Sequence, residues 1–137
     1  MRMYLSFTEH EREGIPIIDV KGQIVAGDGA DQLRERVKAI AEAGKSNAVL
    51  NLAGVSYIDS SGLGALVMSF STLRKAGGAL KLLNLTRRNV ELLVLTKLET
   101  VFEVFDDEQN AVNSFFPGRE IKKFDILTFL QQSKRQP

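Results

Sequence analysis

Two adjacent serines, Ser60 and Ser61, stand between Asp59 and Gly62, and they are the residues of this chain whose types and spacing could do chemistry. A hydroxyl can accept a phosphoryl group or, beside a base, attack a carbonyl, and an aspartate can orient such a reaction or cap a helix. The choice depends on the elements around these residues. Val49, Leu50 and Leu52 read as a short buried strand, while Leu63, Leu66, Val67, Phe70 and Leu73 recur at helical spacing. Asp59-Ser60-Ser61-Gly62 therefore falls on the loop and first helical turn between them. Two hydroxyls are presented at a helix N-terminus.

At that position the four residues can be purely structural, because Asp and Ser accept from orphan backbone amides and Gly62 allows close packing. Alternatively, one serine can be a phosphoacceptor, since a phosphate there meets the amides and the positive end of the helix macrodipole. Spacing alone leaves both readings open. A serine hydrolase is a third reading, and the residues oppose it. The glycine-x-serine-x-glycine elbow is absent, with Ile58 two residues before Ser60 and Asp59 two before Ser61. The single histidine, His10, belongs to the N-terminal hairpin and is expected on the surface, whereas a serine nucleophile needs a base within about 3 Å. Asp106-Asp107 reads as a solvated helix start, and no phosphate-loop motif occurs. Gly27-Asp28-Gly29 could cradle an anion by its amides, yet glycines before a capped helix need no such role. No enzyme activity, metal site or cofactor is expected.

The elements that must position this loop follow from hydrophobic periodicity. Met3 to Thr8 and Ile15 to Val20 read as antiparallel strands joined by a turn at Glu11-Arg12-Glu13-Gly14. Ala30, Leu33, Val37, Ile40 and Ala41 form one stripe of a helix that Asp28 or Asp31 can cap and Gly44 stops. Asn47 to Leu52 is the next strand, the helix from Ser61 ends at Gly77-Gly78, and Ala79 to Leu85 is another strand. Thr86 then precedes a stripe of Val90, Leu93, Val94 and Leu98, with Arg87 and Arg88 on its exposed side, before a last strand at Val101 to Phe105. Strand and helix alternate, so the expected fold is α/β, a mixed, mostly parallel β-sheet with helices packed against it and an N-terminal β-hairpin.

With 137 residues, 44% hydrophobic and 26% charged, the chain fits one domain with a real core. Its 18 Lys+Arg against 17 Asp+Glu leave a net charge of +1, which gives no electrostatic footprint for nucleic acid or an anionic membrane. The absence of cysteine excludes disulfides, thiolate catalysis and sulfur-ligated metals. No apolar signal segment or membrane-length window is read, and a cytoplasmic protein is expected. The domain is expected over residues 1–117, followed by an extension over 118–137 that is richer in bases. Phe124 to Leu130 is apolar enough for a short amphipathic helix there, with Asp125 as its cap. It is expected to dock on the domain or on a partner. The phenylalanines Phe102, Phe105, Phe115, Phe116, Phe124 and Phe129 are expected mostly in the core.

Val49 to Leu52, Val55 to Ile58 and Asp59-Ser60-Ser61-Gly62-Leu63-Gly64, followed by a helix, Gly77-Gly78 and a strand, resemble the STAS domain of bacterial anti-sigma factor antagonists. The likeness covers roughly residues 3 to 116 and rests on a motif that is specific for its length. The resemblance implies a STAS-like fold in which Ser60 is phosphorylated by a partner serine protein kinase that is also the anti-sigma factor. It also implies a partner-binding surface of Asp59, Ser60, Ser61, Gly62 and Asp28. The unmodified protein would bind the anti-sigma factor and free sigma, the phosphorylated form would let go, and a PP2C-type phosphatase would reset it. ATP would belong to the kinase.

Two departures from the family pattern stand out. Where the family commonly carries an acidic residue after the second strand, Gly22-Gln23-Ile24 is followed by Val25, with Asp28 three residues later. The extension is the other departure, and covering a hydrophobic surface or self-association are roles it could take. The competing expectation is a STAS-domain scaffold, a regulatory subunit of a transporter or stress-sensing complex in which Ser60 is never modified.

Overall fold

A computed structural model describes residues 5–135. The chain forms β1 (Ser6–Arg12), β2 (Ile15–Ile24), α1 (Asp28–Glu42), β3 (Asn47–Ile58), α2 (Ser60–Lys75), β4 (Ala79–Leu83), α3 (Arg87–Leu95), β5 (Val104–Phe105), α4 (Glu108–Asn113) and α5 (Ile126–Arg135). The sheet order is β1-β2-β3-β4-β5, with β1 antiparallel to β2 and the other pairs parallel. Strands laid down in sequence order with right-handed crossovers put every crossover helix on one face. The packing agrees. One core joins Ile18 and Val20 of β2, Leu50 and Leu52 of β3 and Leu80 and Leu82 of β4 to Leu33, Leu66 and Leu93 of the three helices.

The alternate strand positions face the other way, as a period of two requires. Ile17, Val49, Leu83 and Phe105 meet Ala111 and Val112 of α4 in a second, smaller core. The expected α/β architecture is therefore present. Several boundaries differ, each for a local reason. Glu11 and Arg12 pair with Pro16 and Ile15, which leaves only Glu13-Gly14 for a two-residue turn, both at positive φ. Of the expected first strand, Met3 and Tyr4 lie outside the described residues. The second and third strands run on to Ile24 and Ile58, because their register shifts between Asp19 and Lys21 and pairing then resumes. At that irregularity a Cβ on Gly54 would lie 2.7 Å from Lys21 Cγ, so glycine lets the strands stay together. The third helix ends at Leu95 rather than reaching Leu98, which starts a 3₁₀ turn after Lys97 at φ 62°. Only Val104 and Phe105 of the expected last strand pair with β4.

Neither Asp28 nor Asp31 caps α1. Gly27 holds the N-cap position at φ 90° with no side-chain bond, and both aspartates lie inside the first turn, where the helix dipole favours them. The extension crosses from α4 to α3. Arg119 holds Glu13 with two bonds of 2.9 Å and 3.0 Å, Phe124 and Ile126 pack against the main core, and Asp125 caps α5 through the Thr128 amide at 3.0 Å.

Candidate functional site

Asp59 ends β3 and begins α2, and its carboxylate ties three segments together. One oxygen accepts from the Gly62 amide at 2.8 Å and the other from the Ala26 amide at 3.0 Å, just before α1. Its own amide donates to Ile24 O, at the end of β2, at 3.2 Å. Gly62 explains how these pieces fit so closely, since a Cβ there would lie 2.0 Å from Ile24 O. The Ala26 amide, followed by the Gly62 amide, stabilises the charged form and holds the Asp59 carboxyl below its ordinary value. Asp59 is thus a fixed anion and a helix cap at once.

Because the aspartate performs the capping, the serines are left over. Ser60 and Ser61 are both exposed and occupy the first two positions of α2. Ser60 alone of the pair lines an open groove of about 480 Å³ between the start of α2 and α3. Leu63, Leu92 and Leu95 supply apolar lining, and Tyr57, Asp59, Arg88, Glu91 and Thr96 line the groove with polar groups. The Arg88 guanidinium lies over the Tyr57 ring, 4.7 Å from its centroid. Asn89, 1% exposed, fastens α3 to β3 by donating to Val55 O at 2.9 Å.

The expected site residues are brought together unequally. Asp59 and Ser60 share the groove; Ser61 is exposed beside it, and Gly62 is buried beneath it. Asp28 is exposed two residues beyond the Ala26 amide that binds Asp59, but it lines a different cleft with Phe7, Asp31 and Arg36, between β1 and α1. His10 lies on β1 between Asp19 (3.2 Å) and Glu108 (3.0 Å), with no bond to Ser60 or Ser61. Sequence reasoning missed Tyr57 and Asn89 as parts of this groove. Neither leaves a signal in the sequence: Asn89, three residues after the Thr86 cap and just before Val90, stands beside the apolar stripe as a solvated residue would. Among the described residues, no cluster of three His, Cys, Asp or Glu could hold a metal ion, and no helix is long and apolar enough to cross a membrane.

A five-stranded mixed sheet with three crossover helices on one face and a capped Asp-Ser-Ser-Gly turn at the carboxyl ends of its central strands is the architecture of a STAS domain. The STAS-domain family model matches residues 7–111, and the chain belongs to that family. Within it, the anti-sigma-B factor antagonist of Bacillus subtilis (strain 168) is 37% identical over 83 residues, 61% of this chain and 75% of that protein. An anti-sigma factor antagonist from Mycobacterium paratuberculosis shares the fold with a TM-score of 0.70 at 19% identity, over 82% of this chain and 94% of that one. The phosphorylated form of the Bacillus cell fate determinant SpoIIAA shares it with a TM-score of 0.62 at 19% identity, over 80% of this chain and 98% of that one.

Proposed function

We propose that this protein is an anti-sigma factor antagonist, switched off when a partner serine kinase, itself the anti-sigma factor, phosphorylates Ser60. The observation that carries this reading is that Ser60 is an exposed hydroxyl with no capping duty, lining a groove that leucines also line. The kinase would pass the γ-phosphoryl group of its ATP to Ser60 Oγ, take up the hydroxyl proton and release ADP. A PP2C-type phosphatase would remove the phosphate by hydrolysis. Asp59, Ser60 and Ser61 would meet the partner, with Gly62 setting the backbone beneath them and Asp28 flanking the surface.

Electrostatics supports a switch that leaves the fold alone. A phosphoserine adds about −1.5 to −2 charges beside the ionised Asp59, on a surface whose neighbouring wall is leucine. A partner that fits a neutral hydroxyl then meets repulsion and a desolvation cost. A change of about 3 kcal/mol in binding moves affinity by more than about a hundredfold. The test is titration of a co-encoded anti-sigma factor kinase with two variants. Ser60→Ala is expected to bind and Ser60→Asp to lose binding; equal binding by both would overturn the switch and leave a constitutive scaffold.

A further inference from the structure

Around the groove, the charged groups are Asp59, Glu91 and Arg88. Two of these are already engaged. The Asp59 oxygens accept from Ala26 and Gly62, and Glu91 Oε1 is held by Arg87 Nε at 2.8 Å. Arg88, although exposed, has no hydrogen bond or carboxylate partner among the described residues. Its guanidinium lies over the Tyr57 ring, at 4.7 Å. Stacking occupies the face of a guanidinium and leaves the N–H donors around its edge free. A stacked arginine is therefore an oriented fork with nothing yet to grip, and a phosphate is the group that fork geometry suits.

We propose that Arg88, steadied on Tyr57, is the ion-pair partner of the phosphate carried by phospho-Ser60, its guanidinium reaching across the groove from the start of α3 to the start of α2. The proposal rests on the reading of Ser60 as the phosphoacceptor and adds to it the residue that reads the modification within the chain. Phosphorylation then acts twice on a partner. It places negative charge at the mouth of the groove, and it withdraws Arg88 from the surface and narrows access to Leu63 and Leu92. Ser61, which does not line the groove, would not engage Arg88 in the same way.

The test uses the full chain with phosphoserine installed at position 60 during its synthesis, followed by phosphorus NMR across pH. The second ionisation of a phosphoserine ordinarily lies at about 6. In the wild-type background it is expected to fall by about half a unit or more relative to Arg88→Gln, because a paired cation favours the dianion. Arg88→Lys, which keeps the charge and loses the fork, is expected to recover part of that shift, and Tyr57→Leu, which loosens the stack, to retain only part of it. Identical titration in the wild-type and Arg88→Gln proteins would overturn the proposal. Because the phosphate is installed without a kinase, this result is independent of whether cells modify Ser60. Failure of the cellular switch and failure of the Arg88 pairing are thereby separate observations.

Discussion

Two helices begin side by side at the carboxyl ends of β2 and β3, and they begin differently. The entrance to α1 is built of backbone: Gly27 turns at φ 90°, Ala30 N donates to Val25 O at 3.0 Å, and Asp31 N donates to Gly27 O at 3.1 Å. The entrance to α2 is built on a charged side chain, and the same carboxylate reaches across to Ala26 and steadies its neighbour. Serine at a helix start ordinarily spends its hydroxyl on an orphan amide. With Asp59 in that role, Ser60 and Ser61 keep theirs free. A hydroxyl without a structural duty can gain or lose a phosphate without melting the helix, which the backbone-built entrance of α1 has no residue to do.

The contrast can be broken most severely at Gly62. Gly62→Ala sets a Cβ 2.0 Å from Ile24 O, where backbone must move, and is expected to cost about 3 kcal/mol or more in urea denaturation. The matching change in α1, Gly29→Ala, meets Gln23 O at 3.1 Å and is expected to cost about 1 kcal/mol or less. Next in size, Asp59→Ala removes a cap and the bridge to Ala26 together, whereas Asp28→Ala removes neither. The urea midpoint is expected to drop clearly for the first and to stay close to wild type for the second; equal drops would erase the distinction between the two entrances.

A pH measurement sharpens it further. The Asp59 carboxyl sits below its ordinary value of 3.8 in the fold, so its contribution to stability is complete above that value and is lost as pH falls through the lowered one. Asp59→Asn is expected to lower stability at neutral pH and to flatten part of the decline below 3.8. Only part is expected to flatten, since Arg119 holds Glu13 low and the Thr128 amide holds Asp125 low in the same way. An unchanged acid limb would show that the carboxylate is not the linchpin of the α2 entrance. The smallest effect belongs to Gly64, whose Cβ position is open. Gly64→Ala is expected to raise stability by up to about 1 kcal/mol through helix propensity alone.

The α2 entrance was legible in the sequence because its cap, its serines and its glycine are consecutive, and the helical stripe from Leu63 fixes where they fall. The α1 entrance was misread. Aspartates at 28 and 31 look like caps, but Gly27, at positive φ, takes the N-cap position one residue before the first of them and leaves both inside the first turn. The groove itself was illegible, because it is made by residues far apart in sequence. Tyr57 is an outward position on β3, and Arg88 reads as an ordinary solvated face of α3. Asn89 is the sharper failure, since a polar residue beside an apolar stripe suggests solvent, and only the buried Val55 carbonyl that accepts from it explains its burial. Lys81 is similar. Between Leu80 and Leu82 it must face the second side of the sheet, and it is buried there because Ser114 and Glu103 accept from it at 2.8 Å and 3.0 Å and the Phe115 ring lies beneath it.

The most direct measurement is intact-mass analysis of the protein taken from its own cells in growth and under stress, with fragmentation to place any phosphate. A single phosphate on Ser60, changing in occupancy between the two conditions, is the expected result. An unmodified protein in both, or a phosphate on Ser61 instead, would contradict the assignment of Ser60 as the switch.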